Sequence, residues 1–275
     1  MAPKARGMKK NLLIIMVTWF LFGCSNREKS LHEVLSKGHW IDLSYDFSSQ
    51  TLYWPNNPTG FTLDTTAEGM TPAGFYYSTF AFCAPEHGGT HIDAPVHFVK
   101  NGLSVDKISL EKLTGEILVI DVSGNALRNR DYLITVQDIA AWEKENGSIP
   151  QGAIVFFRTG YGKYYPDAAK YFGTAEKGDS AIPKLHFPGI DSTAAVWLAE
   201  HKIKAVGIDT PSIDFGQSKN FKTHQVLLGS GMPAFENVAN MDQLPAKGAY
   251  AIALPMKIKN GSGGPLRLIA WLPGQ

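Results

Sequence analysis

The chain has 275 residues, of which 44% are hydrophobic and 19% are charged, the proportions of an ordinary globular protein with a sizeable core. This composition excludes a disordered chain. Four of the 26 basic residues and none of the 25 acidic ones precede Cys24, so the rest of the chain carries a net charge of −3. A net negative chain is poorly suited to bind nucleic acid, and we expect no such partner.

The first segment of the chain is typical of an export signal. Lys9 and Lys10 precede LLIIMVTWFLFG, an apolar run of 12 residues that is too short to span a hydrocarbon core of about 30 Å. The run ends in glycine followed by Cys24, an ending that resembles the signals of bacterial lipoproteins, in which this cysteine is lipidated. A plain signal peptide or a weak anchor is the alternative.

These features predict three parts of the chain: a signal peptide over residues 1–23, a polar tether over 24–39 and one domain over 40–275. The mature protein is then exported and held by its lipid at the bacterial cell envelope, on the periplasmic face or the cell surface. With Cys24 lipidated, Cys83 has no partner for a disulfide. Its apolar neighbours in FAFCAPE predict a small buried core residue rather than a nucleophile.

Beyond the tether, strand-like and helix-like patterns alternate without an internal repeat, which predicts a single α/β domain with a mixed sheet. Short runs rich in β-branched and aromatic residues predict strands at residues 40–47, 117–122, 153–159, 205–209, 250–256 and 266–271. Thr135 and Asp138 have the spacing of a capping box at the start of a helix. Asp191 or Ser192 is suited to cap a second helix that ends at Glu200.

The stretch HGGTHIDAPVHF, residues 87–98, concentrates side chains that bind divalent metal ions. Its four candidate ligands are His87, His91, Asp93 and His97. Two glycines and a proline in the same stretch fix the path of the backbone. Neutral imidazoles and a carboxylate suit Zn²⁺ or Mn²⁺, and a carboxylate is able to bridge two ions. Surface histidines in a loop are the alternative, but four such side chains at this density predict a metal site.

A second group of polar side chains follows the strand predicted at residues 205–209. Its members are Asp209, Ser212, Asp214, His224 and Glu236. Loops at the carboxyl ends of strands are where α/β proteins bind ligands. Each of these residues is equally compatible with a helix cap or a solvated side chain, so the group alone does not establish a site.

Four features, in this order along the chain, resemble the cyclase-like metal-dependent hydrolases, the family of bacterial kynurenine formamidase and isatin hydrolase. They are HGGTHIDAPVHF, GIDTPSID, the pair His224 and Glu236, and NGSGGPLRLIA. The similarity covers residues 40–273. It implies a swivelling β/β/α architecture, a homodimer or larger oligomer, and one or two Zn²⁺ or Mn²⁺ ions per subunit. An insertion-like stretch at residues 160–190 looks more like the larger members of the isatin hydrolase type.

The resemblance also implies roles for individual residues. One metal ion is held by His87, His91 and Asp93, and a second by Asp93, His224 and Glu236. His97 is the acid/base that exchanges a proton with metal-activated water; the alternative is that His97 is a further ligand or lies behind one. We expect Asp209 and Ser212 to orient the histidines from behind.

Aromatic side chains upstream of the motif are candidates for a pocket that holds a flat aryl group. They are Tyr53, Trp54, Phe75 and Tyr76, and they are also compatible with a core or a subunit interface. Arg267 is a candidate partner for a substrate carboxylate, or a structural residue.

The resemblance predicts an amidohydrolase of the arylformamidase type, which cleaves an N-formyl or cyclic amide of a small aromatic substrate. The alternatives are ring opening of the isatin hydrolase type, and a lipoprotein that binds metal or ligand without turnover.

Overall fold

The computed structural model describes Met1 and residues 30–274. The predicted signal peptide, Cys24 and the first residues of the tether lie outside the described residues. No helix in the described part of the chain is both long and apolar enough to cross a membrane.

Between residues 30 and 274 the chain forms twelve strands and seven α-helices. The strands are β1 (His39–Asp42), β2 (Thr62–Met70), β3 (Tyr76–Cys83), β4 (His91–Asp93), β5 (Thr114–Asp121), β6 (Leu133–Ile134), β7 (Ile154–Arg158), β8 (Gly189–Ile190), β9 (Ala205–Ile208), β10 (Ala234–Glu236), β11 (Ala249–Pro255) and β12 (Gly263–Leu272). The α-helices are α1 (Leu31–Leu35), α2 (Leu110–Leu113), α3 (Ser123–Ala126), α4 (Val136–Asn146), α5 (Ala168–Tyr171), α6 (Ser192–Glu200) and α7 (Lys222–Gly229). Short 3₁₀ helices occupy Pro95–His97, Val105–Lys107, Tyr161–Tyr164, Asp179–Lys184 and Met241–Gln243.

Eight strands form one mixed sheet in the order β1-β12-β11-β5-β7-β9-β10-β4. The neighbours from β5 through β7 and β9 to β10 are parallel, and the other pairs are antiparallel. β4 pairs with β12 as well as with β10, so the sheet curves back on itself into a barrel-like arrangement. The predicted α/β class with a mixed sheet is confirmed.

The central strands bury both of their faces. Ile117 and Val119 of β5 belong to a core that consists mainly of strand residues and lies inside the barrel. Leu118 and Ile120 alternate with them and pack in a second core beneath α4 and α6. Because both faces are covered, β5 reads in the sequence as a continuous apolar run.

Both predicted helix starts are confirmed. The Asp138 carboxylate accepts a hydrogen bond from the backbone N–H of Thr135 at 2.8 Å, which closes the capping box of α4. The Asp191 carboxylate accepts from the backbone N–H of Thr193 at 2.8 Å and caps α6. These bonds satisfy backbone groups that have no partner within the first turn of a helix.

One prominent element is absent from our predictions, the hairpin formed by β2 and β3. It carries large apolar side chains that are exposed to solvent in the chain described: Leu63, Met70, Phe75, Tyr76, Tyr77, Phe80 and Phe82. Cys83 ends this hairpin and is exposed, so the prediction of a buried core cysteine is wrong. The apolar run FAFC lies on a hairpin outside the hydrophobic cores, and this is why its sequence was misleading.

Candidate metal centre

β4 and β10 bring two carboxylates and a histidine together. His91 and Asp93 are two residues apart on β4, so their side chains leave the same face of the strand. Glu236 ends β10 directly opposite His91 in the antiparallel register. Its Oε2 atom therefore lies 3.4 Å from Nε2 of His91, and Oδ1 of Asp93 lies 3.3 Å from the same nitrogen.

Two more histidines complete the cluster around Asp93. Nδ1 of His87 lies 2.7 Å from Asp93 Oδ1. His224, in the first turn of α7, places its Nε2 atom 3.1 Å from Asp93 Oδ2 and 3.3 Å from Glu236 Oε1. Each oxygen of Asp93 thus faces a different side of the cluster, which is the arrangement of a carboxylate that bridges two ions.

The second ring nitrogen of His91 and of His224 is fixed by an acceptor. Nδ1 of His91 lies 3.0 Å from the carbonyl oxygen of Gly89, and Nδ1 of His224 lies 2.7 Å from Oδ2 of Asp214. A carbonyl and a carboxylate only accept, so both Nδ1 atoms carry a proton and donate. The Nε2 atom of each neutral ring then presents a lone pair to the cluster, as a metal ligand must.

In His87 the roles of the two ring nitrogens are exchanged. Its Nε2 atom lies 2.9 Å from Oγ of Ser262, which donates its own proton to Glu86 at 2.5 Å. Ser262 Oγ therefore accepts from Nε2, and Nδ1 is left to face Asp93. Gly263 makes this packing possible, because a Cβ atom there would lie 2.5 Å from Cε1 of the His87 ring.

A cation would stabilise the two buried carboxylates of the cluster. Burial raises the pKa of Glu236, and the charge of Asp93 raises it further. Burial also raises the pKa of Asp93, but the charge of His87 and hydrogen bonds from the histidines outweigh burial and hold this pKa well below its usual range. Two buried carboxylates facing imidazole lone pairs need positive charge between them, which protons or metal ions supply.

The histidines respond to the same charges. Burial lowers the pKa of His91 and of His224, but the carboxylates beside them more than offset burial, and both pKa values are raised. The oxygens of Asp93 and Glu236 therefore attract protons to the nitrogens that face them. A divalent cation with nitrogen and oxygen ligands fits the same positions, and Zn²⁺ and Mn²⁺ both accept this donor set.

His97 lies at the edge of the cluster. The 3₁₀ helix Pro95–His97 turns its ring onto that of His87, with the ring centroids 3.9 Å apart and the planes inclined by 21°. Ligand-type atoms of His87, Asp93 and His97 lie within 4.8 Å of one another, so His97 is near enough to be a ligand or an acid/base. The ring of His97 keeps an exposed edge, but partial burial lowers the pKa of His97 to about 4. The imidazole is therefore neutral at pH 7.

The cluster forms the floor of a cavity of about 300 Å³. Aromatic side chains make up much of its wall: Tyr53, Trp54, Phe98, Phe172 and Phe221. The ring of Phe98 stacks on His224, with the centroids 4.5 Å apart. A few polar groups at the base of an apolar wall are typical of a site for a small organic ligand.

Half of the aromatic residues predicted for the pocket lie elsewhere. Tyr53 and Trp54 line the cavity, whereas Phe75 and Tyr76 are exposed on the β2–β3 hairpin and are not among its lining residues. Arg267 is also away from the cavity and pairs with Asp42 at 2.7 Å on the surface. The predictions for Phe75, Tyr76 and Arg267 are therefore wrong as regards this pocket.

The prediction that Asp209 orients the metal-facing histidines is wrong as well. Its carboxylate accepts hydrogen bonds from Thr159 and Gly160, at 2.6 to 2.8 Å, and from no histidine in the residues described. Ser212 lines the cavity, but its hydroxyl accepts from the backbone N–H of Asp214. Asp214 performs the role that we expected of these two residues.

Three residues that support the histidines had no role in our predictions: Asp214, Ser262 and Glu86. Two of them lie in the segments that carry the family resemblance. Asp214 is the last residue of GIDTPSID, and Ser262 lies in NGSGGPLRLIA. Glu86 directly precedes the motif and gives no sequence signal of its own.

Comparisons with known proteins identify the family of the chain. The family model described as "Putative cyclase" matches residues 41–215, a range that includes the whole His87–Phe98 stretch. An isatin hydrolase from Roseibium aggregatum is 35% identical, over 68% of this chain and 72% of its own length. A kynurenine formamidase from Bacillus cereus is 28% identical, over 86% of this chain and 98% of its own length.

A solved structure extends the likeness to the fold. The crystal structure of an isatin hydrolase bound to the product analogue thioisatinate matches with a TM-score of 0.78 and 30% sequence identity, covering 86% of this chain and 94% of the other. The family model spans more than half of the chain, and the isatin hydrolase relative covers more than two thirds of it. The chain therefore belongs to the cyclase family, together with these isatin hydrolase and kynurenine formamidase relatives.

Proposed function

We propose that this hydrolase is metal-dependent and cleaves the amide C–N bond of a small aromatic substrate, either an N-formyl amide or a cyclic amide. The observation that carries the proposal is the position of Asp93. Its two oxygens face the ligand nitrogens of His87, His91 and His224 at the floor of an aromatic-lined cavity. The named activities of the relatives, isatin hydrolysis and kynurenine formamide hydrolysis, support the same chemistry.

One or two Zn²⁺ or Mn²⁺ ions per subunit fit the cluster. His87, His91 and Asp93 would hold one ion, and Asp93, His224 and Glu236 a second. A divalent ion of this kind polarises a carbonyl oxygen and makes water acidic near neutral pH. Asp214, Gly89 and Ser262 keep the three histidines in the tautomers that this requires.

His97 is the proposed acid/base. The structure describes no hydrogen bond from either ring nitrogen within residues 30–274, and the imidazole is neutral at pH 7 because partial burial lowers its pKa to about 4. A neutral, unengaged imidazole is able to accept a proton from water and return it to the leaving nitrogen. Its stacking on His87 holds it next to the metal-facing side chains.

Ring opening of a neutral cyclic amide, as in isatin, is favoured by the charge of the cavity. In the described chain no lysine or arginine lines it, and its charged or titratable wall residues belong to the cluster itself or are tyrosine. N-formylkynurenine carries an amino-acid group, whose carboxylate would find no lysine or arginine partner in this wall, while the proposed metal ions are needed at the amide that is cleaved. Isatin is uncharged and planar, so an apolar aromatic wall suits it.

A substrate panel tests the proposal. Metal-free protein would be prepared with a chelator, reconstituted with Zn²⁺ or Mn²⁺, and assayed on isatin, N-formylkynurenine and simple lactams. We expect hydrolysis only after a metal is restored, with higher kcat/KM for isatin than for N-formylkynurenine. A protein that binds metal yet hydrolyses none of these compounds would support the non-catalytic alternative.

The bridging position of Asp93 gives a second test. Asp93→Ala removes a ligand shared by both ions, whereas Glu236→Ala removes a ligand of one, so Asp93→Ala should lose more metal. Elemental analysis of the purified proteins measures this directly. Equal metal content in wild type and Asp93→Ala would contradict the site.

We also propose that the protein is anchored at the cell envelope through lipid on Cys24, and that it forms a homodimer or a larger oligomer. The anchor is supported by the apolar run and the glycine–cysteine junction of the sequence. The exposed apolar side chains of the β2–β3 hairpin support the oligomer, since surfaces of this kind mark protein interfaces.

A further inference from the structure

Phe221, the residue before helix α7, has a backbone conformation that an aromatic residue rarely adopts. Its φ of 46° and ψ of 47° lie in the left-handed region, where the Cβ atom crowds the following carbonyl. The described chain holds five other non-glycine residues with positive φ, four asparagines and Lys202. Asparagine tolerates this region, and phenylalanine does not, so something must hold Phe221 there.

The group that holds it is Asp214. The backbone N–H of Phe221 donates to Oγ of Ser218 at 3.1 Å, and Ser218 Oγ donates to Oδ1 of Asp214 at 3.0 Å. Asp214 also accepts from the backbone N–H groups of Thr223 and His224, and so caps α7 in place of the residue at position 221. The carboxylate that orients His224 therefore also fixes the backbone of Phe221.

Local structure gives no reason for phenylalanine at this position. A helix-capping residue would be serine, threonine, aspartate or asparagine, and the Phe221 side chain makes no capping bond. The ring is half-buried and belongs to none of the three hydrophobic clusters in the part of the chain described. Neither capping nor core packing compensates for the unfavourable backbone.

The cavity does give a reason. The Phe221 ring lines it, with its centroid 5.7 Å from that of Phe98, 6.4 Å from Trp54 and 6.0 Å from His224. Rings at these separations are in contact with one another, and because all of them line the cavity they form one aromatic patch beside His224. Backbone strain that the surrounding structure maintains is found at ligand sites, where it positions a side chain.

We propose that Phe221 is a specificity-determining residue that presents an aromatic face to the aryl ring of the substrate, and that its left-handed backbone exists to place that face. This inference rests on the proposed function, hydrolysis of an aromatic amide. A residue that binds substrate and a residue that packs in the core differ in how their replacement affects the stability of the fold. Replacing Phe221 with a residue that tolerates the left-handed region should weaken substrate binding without destabilising the fold.

The test uses Phe221→Asn, which tolerates the backbone and removes the ring, and Phe221→Leu, which keeps apolar bulk without an aromatic face. In metal-loaded protein we expect KM for isatin to rise about tenfold in both variants, with kcat changed by less than about threefold. Calorimetry should show a similar loss of affinity for thioisatinate. Metal content should stay at the wild-type level, and the Tm of Phe221→Asn should equal or exceed that of wild type.

Lys202→Asn is the matched control. Lys202 also has a positive φ, of 54°, and lies outside the cavity, so this variant should leave KM unchanged while its Tm is equal or higher. Unchanged KM and unchanged thioisatinate affinity in Phe221→Asn would overturn the inference. So would a Tm several degrees lower, which would reveal a packing role, or wild-type affinity in Phe221→Leu, which would make the aromatic face unnecessary. A wild-type protein that hydrolyses no aryl amide would instead overturn the proposed function, and this inference with it.

Discussion

Asp214 is the residue that connects His224 to the backbone at the start of α7. Its two oxygens accept from the imidazole and backbone of His224, from Thr223 and from Ser218. Burial raises its pKa, but the hydrogen bonds and charge of His224 outweigh burial, and the pKa is lowered. The carboxylate is therefore charged at neutral pH and holds the proton of His224 on Nδ1.

We predict that Asp214→Asn weakens metal binding by about 10- to 100-fold, the usual effect of removing a group that orients a metal-binding histidine. Asparagine has one acceptor oxygen, so it cannot accept all four of the hydrogen bonds that Asp214 accepts. A competition titration with a chromogenic chelator measures the affinity for Zn²⁺. Asp209→Asn is the control, because Asp209 is also buried and hydrogen-bonded but touches no histidine in the structure described. Equal loss of affinity in both variants would contradict a specific role for Asp214.

We expect removal of His97 and removal of His91 to have different effects on metal content and activity. His97→Ala should keep near-normal metal content and lose about 10²- to 10⁴-fold in kcat, the range for loss of a general acid/base. His91→Ala should lose both metal and activity, since Nε2 of His91 faces Asp93 and Glu236. Elemental analysis and steady-state kinetics on the same samples separate the two effects.

The metal content of His97→Ala decides whether His97 is an acid/base or a metal ligand. Its ring lies close enough to His87 and Asp93 to serve as a ligand. If His97→Ala loses metal in proportion to its activity, His97 is a ligand and the base must be another residue. Full activity of His97→Ala on every substrate would contradict the mechanism.

At the scale of secondary structure, the long buried strands and the capped helices were predictable from the sequence. β5, β7 and β9 are continuous apolar runs because both faces are covered, and this pattern is visible without a structure. The starts of α4 and α6 are encoded by Asp138 and Asp191, whose side chains bond to nearby backbone. Helix caps and apolar runs depend on residues that are close together in the chain and on burial, so they are recognisable in a single sequence.

β4 and β10 were not predictable in the same way, although they carry three of the proposed ligands. Each has three residues, too few for a periodic pattern, and each is a strand only because its neighbours in the sheet are in place. The motif gave the ligand types, but the pairing of His91 with Glu236 depends on the antiparallel register. Likewise, only the path after β9 decides that Asp214 rather than Asp209 reaches His224.

The β2–β3 hairpin is the element for which we predict a role in self-association. Phe80 and Phe82 are two residues apart on β3, share one face, and are 46% and 53% exposed. We predict that wild-type protein is a dimer or larger and that Phe80→Asp weakens its association at least about 30-fold, as burying an unpaired charge at the centre of an interface does. Sedimentation velocity across a concentration series measures this.

Val196→Asp provides the comparison, because Val196 is an exposed apolar residue on α6, away from the hairpin. It should leave the oligomeric state unchanged. A monomeric wild type, or equal dissociation in both variants, would show that the hairpin is not the contact.

For the whole molecule, closure of the sheet is what assembles the site from distant parts of the chain. β4 pairs with both β10 and β12, which brings the motif around residue 91 next to Glu236 and to the segment that contains Ser262. His224 arrives on α7, between β9 and β10 in the chain. The proposed ligands come from a range of about 150 residues, so the proposed metal site requires the intact fold, and we expect no isolated fragment to bind a metal ion with native affinity.

The proposed lipid on Cys24 predicts where the protein resides in the cell. LLIIMVTWFLFG has 12 residues and is too short to span a membrane, so the proposed attachment depends on lipid on Cys24. Each buried CH₂ of such a lipid contributes about 0.8 kcal/mol of membrane affinity. Wild-type protein expressed in a bacterial host should therefore sediment with the membranes, and Cys24→Ser should be released or remain unprocessed. Cys83→Ser, at the exposed end of β3, should stay in the membrane fraction like wild type. Fractionation with immunoblotting and mass spectrometry of the N-terminal peptide distinguishes these outcomes, and a wild-type protein found wholly in the soluble fraction would refute the anchor.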